Sequence, residues 1–144
     1  DGGGVVQSPG VDLPVDEASE WRNVCAEASV APVFLAAPGS PEQRLRAIGE
    51  ASRGFVYCVA TYGVTGERER LAPTAAELVA RLRVLTDRPL LVGVGIAEPS
   101  QAAKACAFAD GVVVGSALVR PLLEADAPAA LWLAGAFRAA IDAT

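Results

Sequence analysis

Short apolar segments alternate with longer amphipathic segments along most of this 144-residue chain, and this alternation constrains the fold more than any other feature. The short segments are rich in β-branched residues, which is typical of strands that are buried on both faces. The longer segments repeat apolar residues three and four positions apart, which predicts helices with one buried face. Strands that alternate with such helices predict a parallel sheet covered by helices.

The predicted strands lie at residues 5–6 (a short remnant), 33–37, 55–60, 90–94 and 110–114. Helices are predicted to begin after Asp16, Ser40 and Thr74 and near Pro99, and two more are predicted at 117–123 and 129–141. Ser40 and Thr74 are the predicted N-caps of their helices. Each unit takes about 30 residues, as in a (β/α)8 TIM-type barrel of about 250 residues.

The prediction is therefore one partial barrel domain over residues 1–144, equivalent to the C-terminal half of such a barrel. Residues 1–10 are expected to be irregular, as at a truncation or a gap. A complete, small flavodoxin-like sheet is the structural alternative. On either fold, Trp21 and Trp132 are expected to pack inside, because they lie on helical faces.

Composition excludes several classes of function. Hydrophobic residues make up 52% of the chain, yet no apolar run is long enough to span a membrane and no secretory signal is present, so a cytoplasmic protein is expected. Histidine is absent, which excludes histidine-dependent catalysis and most zinc sites. The net charge of -5, without a basic cluster, argues against nucleic acid as a partner. Cys25, Cys58 and Cys106 are expected to be buried free thiols.

The last predicted strand ends at Gly115 and Ser116, directly before a helical segment. Glycine lets a ligand approach the backbone, and the first N–H groups of a helix lack intrahelical partners at the positive end of its dipole. The preceding strand ends in a second glycine turn, at Gly93 and Gly95. Two consecutive strands that end in this way match the phosphate-binding end of (β/α)8 enzymes, so a phosphate site is predicted. Ordinary tight turns are the simpler interpretation.

Four segments follow one another in a characteristic order: Val11-Asp12-Leu13-Pro14-Val15, Gly54-Phe55-Val56-Tyr57, Gly63-Val64-Thr65-Gly66, and the paired glycine turns at 93–96 and 111–117. Together they resemble the tryptophan synthase alpha chain family, from about the fourth strand of its barrel to the eighth. The resemblance covers about residues 11–144. Its specific part is the Asp-Leu-Pro turn with the Gly-Val-Thr-Gly loop, because many phosphate-binding barrels have a glycine-serine motif.

The resemblance implies a lyase that cleaves indole-3-glycerol phosphate to indole and glyceraldehyde 3-phosphate in tryptophan biosynthesis. It implies no cofactor on this chain, and a tryptophan synthase beta chain, a pyridoxal-phosphate enzyme, as partner. The cleavage needs a base and an acid. In the family these carboxylates lie on the first two strand ends, to which nothing in this sequence corresponds, so no catalytic residue is expected here.

The resemblance also implies six substrate-binding residues, which are Tyr57, Thr65, Gly66, Gly95, Gly115 and Ser116. The last four would hold the phosphate. Tyr57 would lie beside the substrate, and Thr65 would lie on a lid loop over residues 61–73. Asp12 matches a loop aspartate near the site and the partner interface.

Each of these assignments has a simpler alternative. Tyr57 can be interpreted as a core aromatic and Thr65 as a residue that only shapes a turn. Asp12 can be interpreted as the acceptor of an Asx-turn. Two other functions also remain open. One is another phosphosugar-binding barrel, such as an epimerase or isomerase, and the other is a non-catalytic module that binds a phosphate or a partner chain.

Overall fold

The computed structural model describes residues 5–7, 17–59, 73–93 and 95–144, in which short strands alternate with helices. The strands are β1 (Val5–Gln7), β2 (Ala31–Val33), β3 (Leu35–Ala36), β4 (Val56–Val59), β5 (Leu90–Gly93) and β6 (Gly111–Val112). The helices are α1 (Ser19–Glu27), α2 (Glu42–Ala51), α3 (Pro73–Arg83), α4 (Pro99–Cys106), α5 (Ser116–Leu123) and α6 (Ala127–Asp142). The predicted succession of elements is confirmed, including the short strand near the start, except that the strand predicted at 33–37 is divided into β2 and β3 and begins at Ala31.

All of these strands pair in parallel, and they follow one another in chain order. β1 pairs with β2, while β3, β4, β5 and β6 form a four-stranded sheet. Only Phe34 separates β2 from β3, and its carbonyl accepts a hydrogen bond from the Tyr57 N–H at 3.1 Å. Residues 31–36 therefore join β1 on one side to β4 on the other. This uncrossed order is that of a barrel wall, whereas a flavodoxin-like sheet reverses its strand order.

The main core lies between the sheet and its helices. Every second residue of these strands contributes a side chain to this core. These residues are Ala36, Val56, Cys58, Leu90 and Val92. They pack against Leu45 and Ile48 of α2 and against Leu78 and Leu82 of α3. Because successive side chains of a strand point to opposite faces, Tyr57 and Gly93 lie on the other face, which a barrel encloses.

Two of the predicted helix caps are wrong. Pro41, not Ser40, is the N-cap of α2, because its extended backbone (φ -66°, ψ 155°) delays the helix by one residue. The Ser40 carbonyl instead accepts a hydrogen bond from Arg81 Nη2 at 2.7 Å. Thr74 lies inside α3, which already begins at Pro73. The first residue of each helix is therefore set by a proline, Pro41 before α2 and Pro73 at the start of α3.

The capping box of this chain is found at α4. Glu98 is the N-cap, and its carbonyl accepts a hydrogen bond from the Gln101 N–H at 3.0 Å. In return, Gln101 Oε1 accepts from the N–H groups of Glu98 at 3.0 Å and of Ala97 at 2.8 Å. Glutamate is not among the preferred N-cap residues, which is why sequence analysis missed this cap.

One of the two tryptophans does not pack as expected. Trp21 of α1 packs against the core, but Trp132 of α6 is 74% exposed. α6 directs Ala130 and Phe137 inward, and Leu131 beside Trp132 is also exposed. The assignment of Trp132 to packing is therefore wrong.

The prediction of buried free thiols is confirmed for Cys25 and Cys58 but not in full for Cys106. Cys25 and Cys58 are buried, Cys106 is half-buried, and all three are free thiols. In the described ranges, no group of three acidic or cysteine side chains is arranged to hold a metal ion. No described helix is long and apolar enough to cross a membrane.

Candidate functional site

The two predicted glycine turns lie at the same edge of the sheet. β5 and β6 are neighbours, with Val92 opposite Val112, and the Val113 N–H donates to the Val92 carbonyl at 2.8 Å. Gly95 follows the carboxyl end of β5, and Gly115 follows the carboxyl end of β6. Neighbouring parallel strands end at one edge of a sheet, so both turns contribute to one surface.

Gly115 forms the start of α5 and has open space in front of it. It is the N-cap, and a Cβ added there would meet no atom of the described residues within 4 Å. Packing against the described residues therefore does not explain the glycine, and the space leaves room for a ligand at the helix start. The Gly115 carbonyl accepts hydrogen bonds from the N–H groups of Leu118 and Val119. The N–H groups of Ser116 and Ala117 therefore remain at the helix start without an intrahelical acceptor.

Gly95 requires glycine for a different reason. Its φ is +83°, in the left-handed region that residues with a Cβ rarely adopt. The residue is exposed, and the turn it forms leads from β5 toward Ile96, which is buried in the core. Gly95 thus forms the turn that follows β5, at the same edge of the sheet as the start of α5.

Tyr57 lies on the inner face of β4, with only 8% of its surface exposed. A Cβ added at Gly93, the last residue of β5, would lie 2.5 Å from Tyr57 Cζ, far closer than van der Waals contact. Gly93 is the last residue of β5, within the strand predicted at 90–94, and its missing side chain makes room for the phenol ring. A glycine inside a strand pattern signals such a close approach. The phenol accordingly lies across the end of β5.

The structure thus places three of the predicted residues, Gly95, Gly115 and Ser116, at the carboxyl ends of β5 and β6. A fourth, Tyr57, is the second residue of β4, and its ring reaches Gly93 at the end of β5. The other predicted positions lie outside the described residues: Asp12, Thr65, Gly66 and the loop that contains the last two.

Sequence analysis missed a polar contact at the opposite end of these strands. Asp110 Oδ2 accepts hydrogen bonds from Arg83 Nη1 of α3 and from the Leu90 N–H, both at 2.7 Å. Burial alone would raise the pKa of Asp110, but these two bonds outweigh it and hold the pKa below its usual value. The contact ties the starts of β5 and β6 together. It thereby helps to set the register in which β5 pairs with β6.

Cys58 is unsuited to act as a nucleophile. Burial raises the pKa of its thiol to about 12, although the charge of Arg83 lowers it and that of Asp110 raises it further. The thiolate is the reactive form of cysteine, so this side chain is chemically inert at neutral pH.

A wall of parallel strands in chain order, with helices on one side and polar turns at the carboxyl ends, defines part of a (β/α)-barrel protein. The sequence profile described as "Tryptophan synthase alpha chain" matches residues 6–133. The chain belongs to this family.

Individual relatives agree with this assignment. The chain is 50% identical to the tryptophan synthase alpha chain of Archaeoglobus fulgidus over 115 residues, which are 79% of this chain and 46% of the relative. A crystal structure of tryptophan synthase from M. tuberculosis in its aminoacrylate-bound form has a TM-score of 0.75 at 40% identity, over 90% of this chain and 48% of the other.

The tryptophan synthase a2b2 complex of Pyrococcus furiosus is also similar, with a TM-score of 0.77 at 35% identity. The similarity covers 97% of this chain and 56% of that one. The chain thus spans about half the length of the curated relatives it matches.

Proposed function

We propose that this protein carries the phosphate-binding part of a lyase that cleaves indole-3-glycerol phosphate to indole and glyceraldehyde 3-phosphate in tryptophan biosynthesis. The observation that carries the proposal is the open helix start at Gly115 and Ser116, next to the Gly95 turn. The N–H groups that lack an intrahelical acceptor and the helix dipole stabilise a phosphate dianion there. Membership of the family supplies the substrate class and the reaction.

In this proposal the phosphate anchors the substrate at a distance from the reacting carbons, and this binding energy orients the bond that breaks. Tyr57 lies beside the substrate, while Thr65 and Gly66 belong to the loop that closes over it. Within the described residues, the carboxylate that follows β5, Glu98, is occupied as the N-cap of α4. The acid and base of the cleavage therefore come from a part of the family's barrel to which this chain does not correspond.

The same reasoning extends to the partner and the setting of the protein. The Pyrococcus furiosus relative is described as an a2b2 complex. We extend this partnership with a beta chain to the present protein, with Asp12 near the interface. The chain is treated as one domain without a cofactor of its own, acting in the cytoplasm.

A non-catalytic role is the second candidate. It is favoured by one observation, the lack of a pair of carboxylates at the carboxyl edge of the described strands. Such a module would bind a phosphate or the beta chain without turnover. The alternative of an epimerase or isomerase receives no support, because the relatives belong to the tryptophan synthase alpha chain family.

Replacing Gly115 tests the proposed site. We expect Gly115→Val to weaken binding of glycerol 3-phosphate at this site at least tenfold, followed through the backbone amide resonances of Ser116 and Ala117, because the branched side chain fills the space in front of α5. Ser116→Ala should weaken binding by a factor of about five, the value of one hydrogen bond near 1 kcal/mol.

Gly39→Val is the matched control for this experiment. Gly39 also has open space at its Cβ position, but it lies in the turn between β3 and α2. It should leave the affinity unchanged. If Gly115→Val binds as tightly as the original protein, the phosphate binds elsewhere.

A further inference from the structure

A cavity lies away from the carboxyl edge, between α1 and the end of α2. Its volume is about 360 Å³, within the range of small-molecule sites. Four polar side chains line it, which are Ser19, Arg22, Asn23 and Arg53, together with Ala26, Val30, Pro32 and Ala51. Of these residues, Val30 directly precedes β2 and Pro32 is the second residue of β2. The cavity therefore lies toward the amino ends of the strands. It is therefore distinct from the site at Gly115.

The α1 wall of the cavity is a helix face separate from the core face. Ser19, Arg22, Asn23 and Ala26 follow the spacing of one helical face. Cys25 packs in the interior on another side of the same helix. The two acidic residues of α1, Glu20 and Glu27, do not line the cavity. This wall consequently presents a guanidinium and an amide, without a carboxylate that would neutralise them.

The opposite wall is held in place by backbone hydrogen bonds. The Arg53 N–H donates to the Pro32 carbonyl at 2.8 Å, and the Arg53 carbonyl accepts from the Phe55 N–H at 3.1 Å. Next to it, the buried Ser52 hydroxyl accepts from the Phe34 N–H at 3.3 Å. The backbone at Arg53 is therefore fixed to the sheet, and its side chain starts from a defined position at the cavity.

Both arginines lack an anionic partner in the part of the chain that the structure describes. The salt bridges there join Arg46 to Glu42, Arg83 to Asp110 and Arg138 to Asp142. In a chain of net charge -5, acidic groups are abundant, yet none of those described pairs with Arg22 or Arg53. Two guanidinium groups at one cavity create a local positive potential that attracts an anion.

We propose that this cavity binds a small organic phosphate, with Arg22 and Arg53 as the groups that hold the phosphate. A phosphomonoester carries close to two negative charges at neutral pH, which matches two guanidinium groups, and its oxygens suit the fork geometry of arginine. Asn23 and Ser19 supply further hydrogen-bond donors. Pro32, Ala51 and Val30 provide an apolar floor for the carbon skeleton.

The test uses the side-chain Nε–H resonances of the arginines while the protein is titrated with glycerol 3-phosphate. We expect saturable shifts at Arg22 and Arg53 and none at Arg44 or Arg46, which are exposed on α2 outside the cavity. The titration is repeated in the Gly115→Val variant, in which the shifts at Arg22 and Arg53 should persist. The result for phosphate binding at Gly115 is thereby distinguished from the result for phosphate binding at this cavity.

Affinity measurements on matched variants complete the test. Arg22→Gln and Arg53→Gln should each weaken binding at the cavity about tenfold. The control is a double variant, Arg44→Gln with Arg46→Gln, which removes two positive charges outside the cavity and should leave this affinity unchanged. Equal shifts at all four arginines, or equal weakening by the control variant, would mean that only overall charge is sensed and would overturn the proposal. Absence of shifts at Arg22 and Arg53 would overturn it as well.

Discussion

At the scale of single residues, the glycines at the candidate site have different physical roles. Gly95 provides a left-handed backbone, Gly93 provides room for the Tyr57 ring, and Gly115 leaves space that no described residue occupies. Gly115 differs from the other glycines with open space because it lies at the start of a helix, where the first N–H groups lack intrahelical acceptors.

The contact between Gly93 and Tyr57 can be tested directly. We expect Gly93→Ala to lower the free energy of unfolding by about 1–3 kcal/mol, because its Cβ would overlap the phenol ring. In a Tyr57→Leu background the same change should cost much less, since the ring is gone, and urea denaturation measures this coupling.

Gly111→Ala on β6 is the control for that prediction. A Cβ there would lie 3.5 Å from Leu91 Cγ, which is ordinary contact, so the effect should be small. An equal cost of Gly93→Ala with and without the Tyr57 ring would contradict the proposed packing.

At the scale of elements, the packing of neighbouring helices outweighs helix propensity. Gly49 is buried within α2, where glycine is unfavourable by about 1 kcal/mol relative to alanine. A Cβ added there would lie 2.9 Å from Thr86 Cβ, just beyond the end of α3. The glycine is therefore retained because it lets α2 approach the segment that leads from α3 into β5.

This balance predicts opposite effects for two similar changes. Gly49→Ala should lower the free energy of unfolding by about 1–2 kcal/mol, because the clash outweighs the gain in propensity. Gly135→Ala in α6 should raise it by about 0.5–1 kcal/mol, since a Cβ there meets nothing within 4 Å. Thermal or urea unfolding of both variants gives the answer. Stabilisation by both changes would show that Thr86 moves aside without cost.

At the scale of the whole molecule, the described sheet has open edges and an uncovered apolar surface. β1 and β6 each pair with a single neighbour among the described strands. Leu123, Leu131 and Trp132 are each more than 70% exposed on α5 and α6. A closed barrel has no strand edges, so this arrangement fits a chain that spans about half of its relatives' length.

The same incompleteness determines the expected activity. We expect the 144-residue chain by itself to release no indole from indole-3-glycerol phosphate above background, because no described residues supply the acid and base together. Addition of the N-terminal half of an alpha chain from a relative should restore release, measured by indole absorbance or extraction. Turnover by the chain alone at a rate near that of a complete relative would contradict the proposal.

The sequence alone was sufficient for the order of strands and helices, and for the placing of Gly95, Gly115 and Ser116 at turns. These features depend on local periodicity and on glycine and helix-start preferences, which act over a few residues. Helix boundaries next to Pro41 and Pro73 were predicted less well, because a proline can precede a helix as its N-cap or begin it. The cap at Glu98 was missed because its residue type is uncommon there.

Tertiary structure alone decided which residues meet. The approach of Tyr57 to Gly93, of Thr86 to Gly49 and of Arg83 to Asp110 joins positions 27 to 37 residues apart, and no local pattern encodes such contacts. The exposure of Trp132 likewise follows from how α6 packs on α4 and α5. The sequence shows which face of a helix is apolar, but that face is buried only where a neighbouring element packs against it. Local chemistry therefore defined the elements, whereas the parallel pairing of strands placed their ends, and with them the candidate site, at one edge of the sheet.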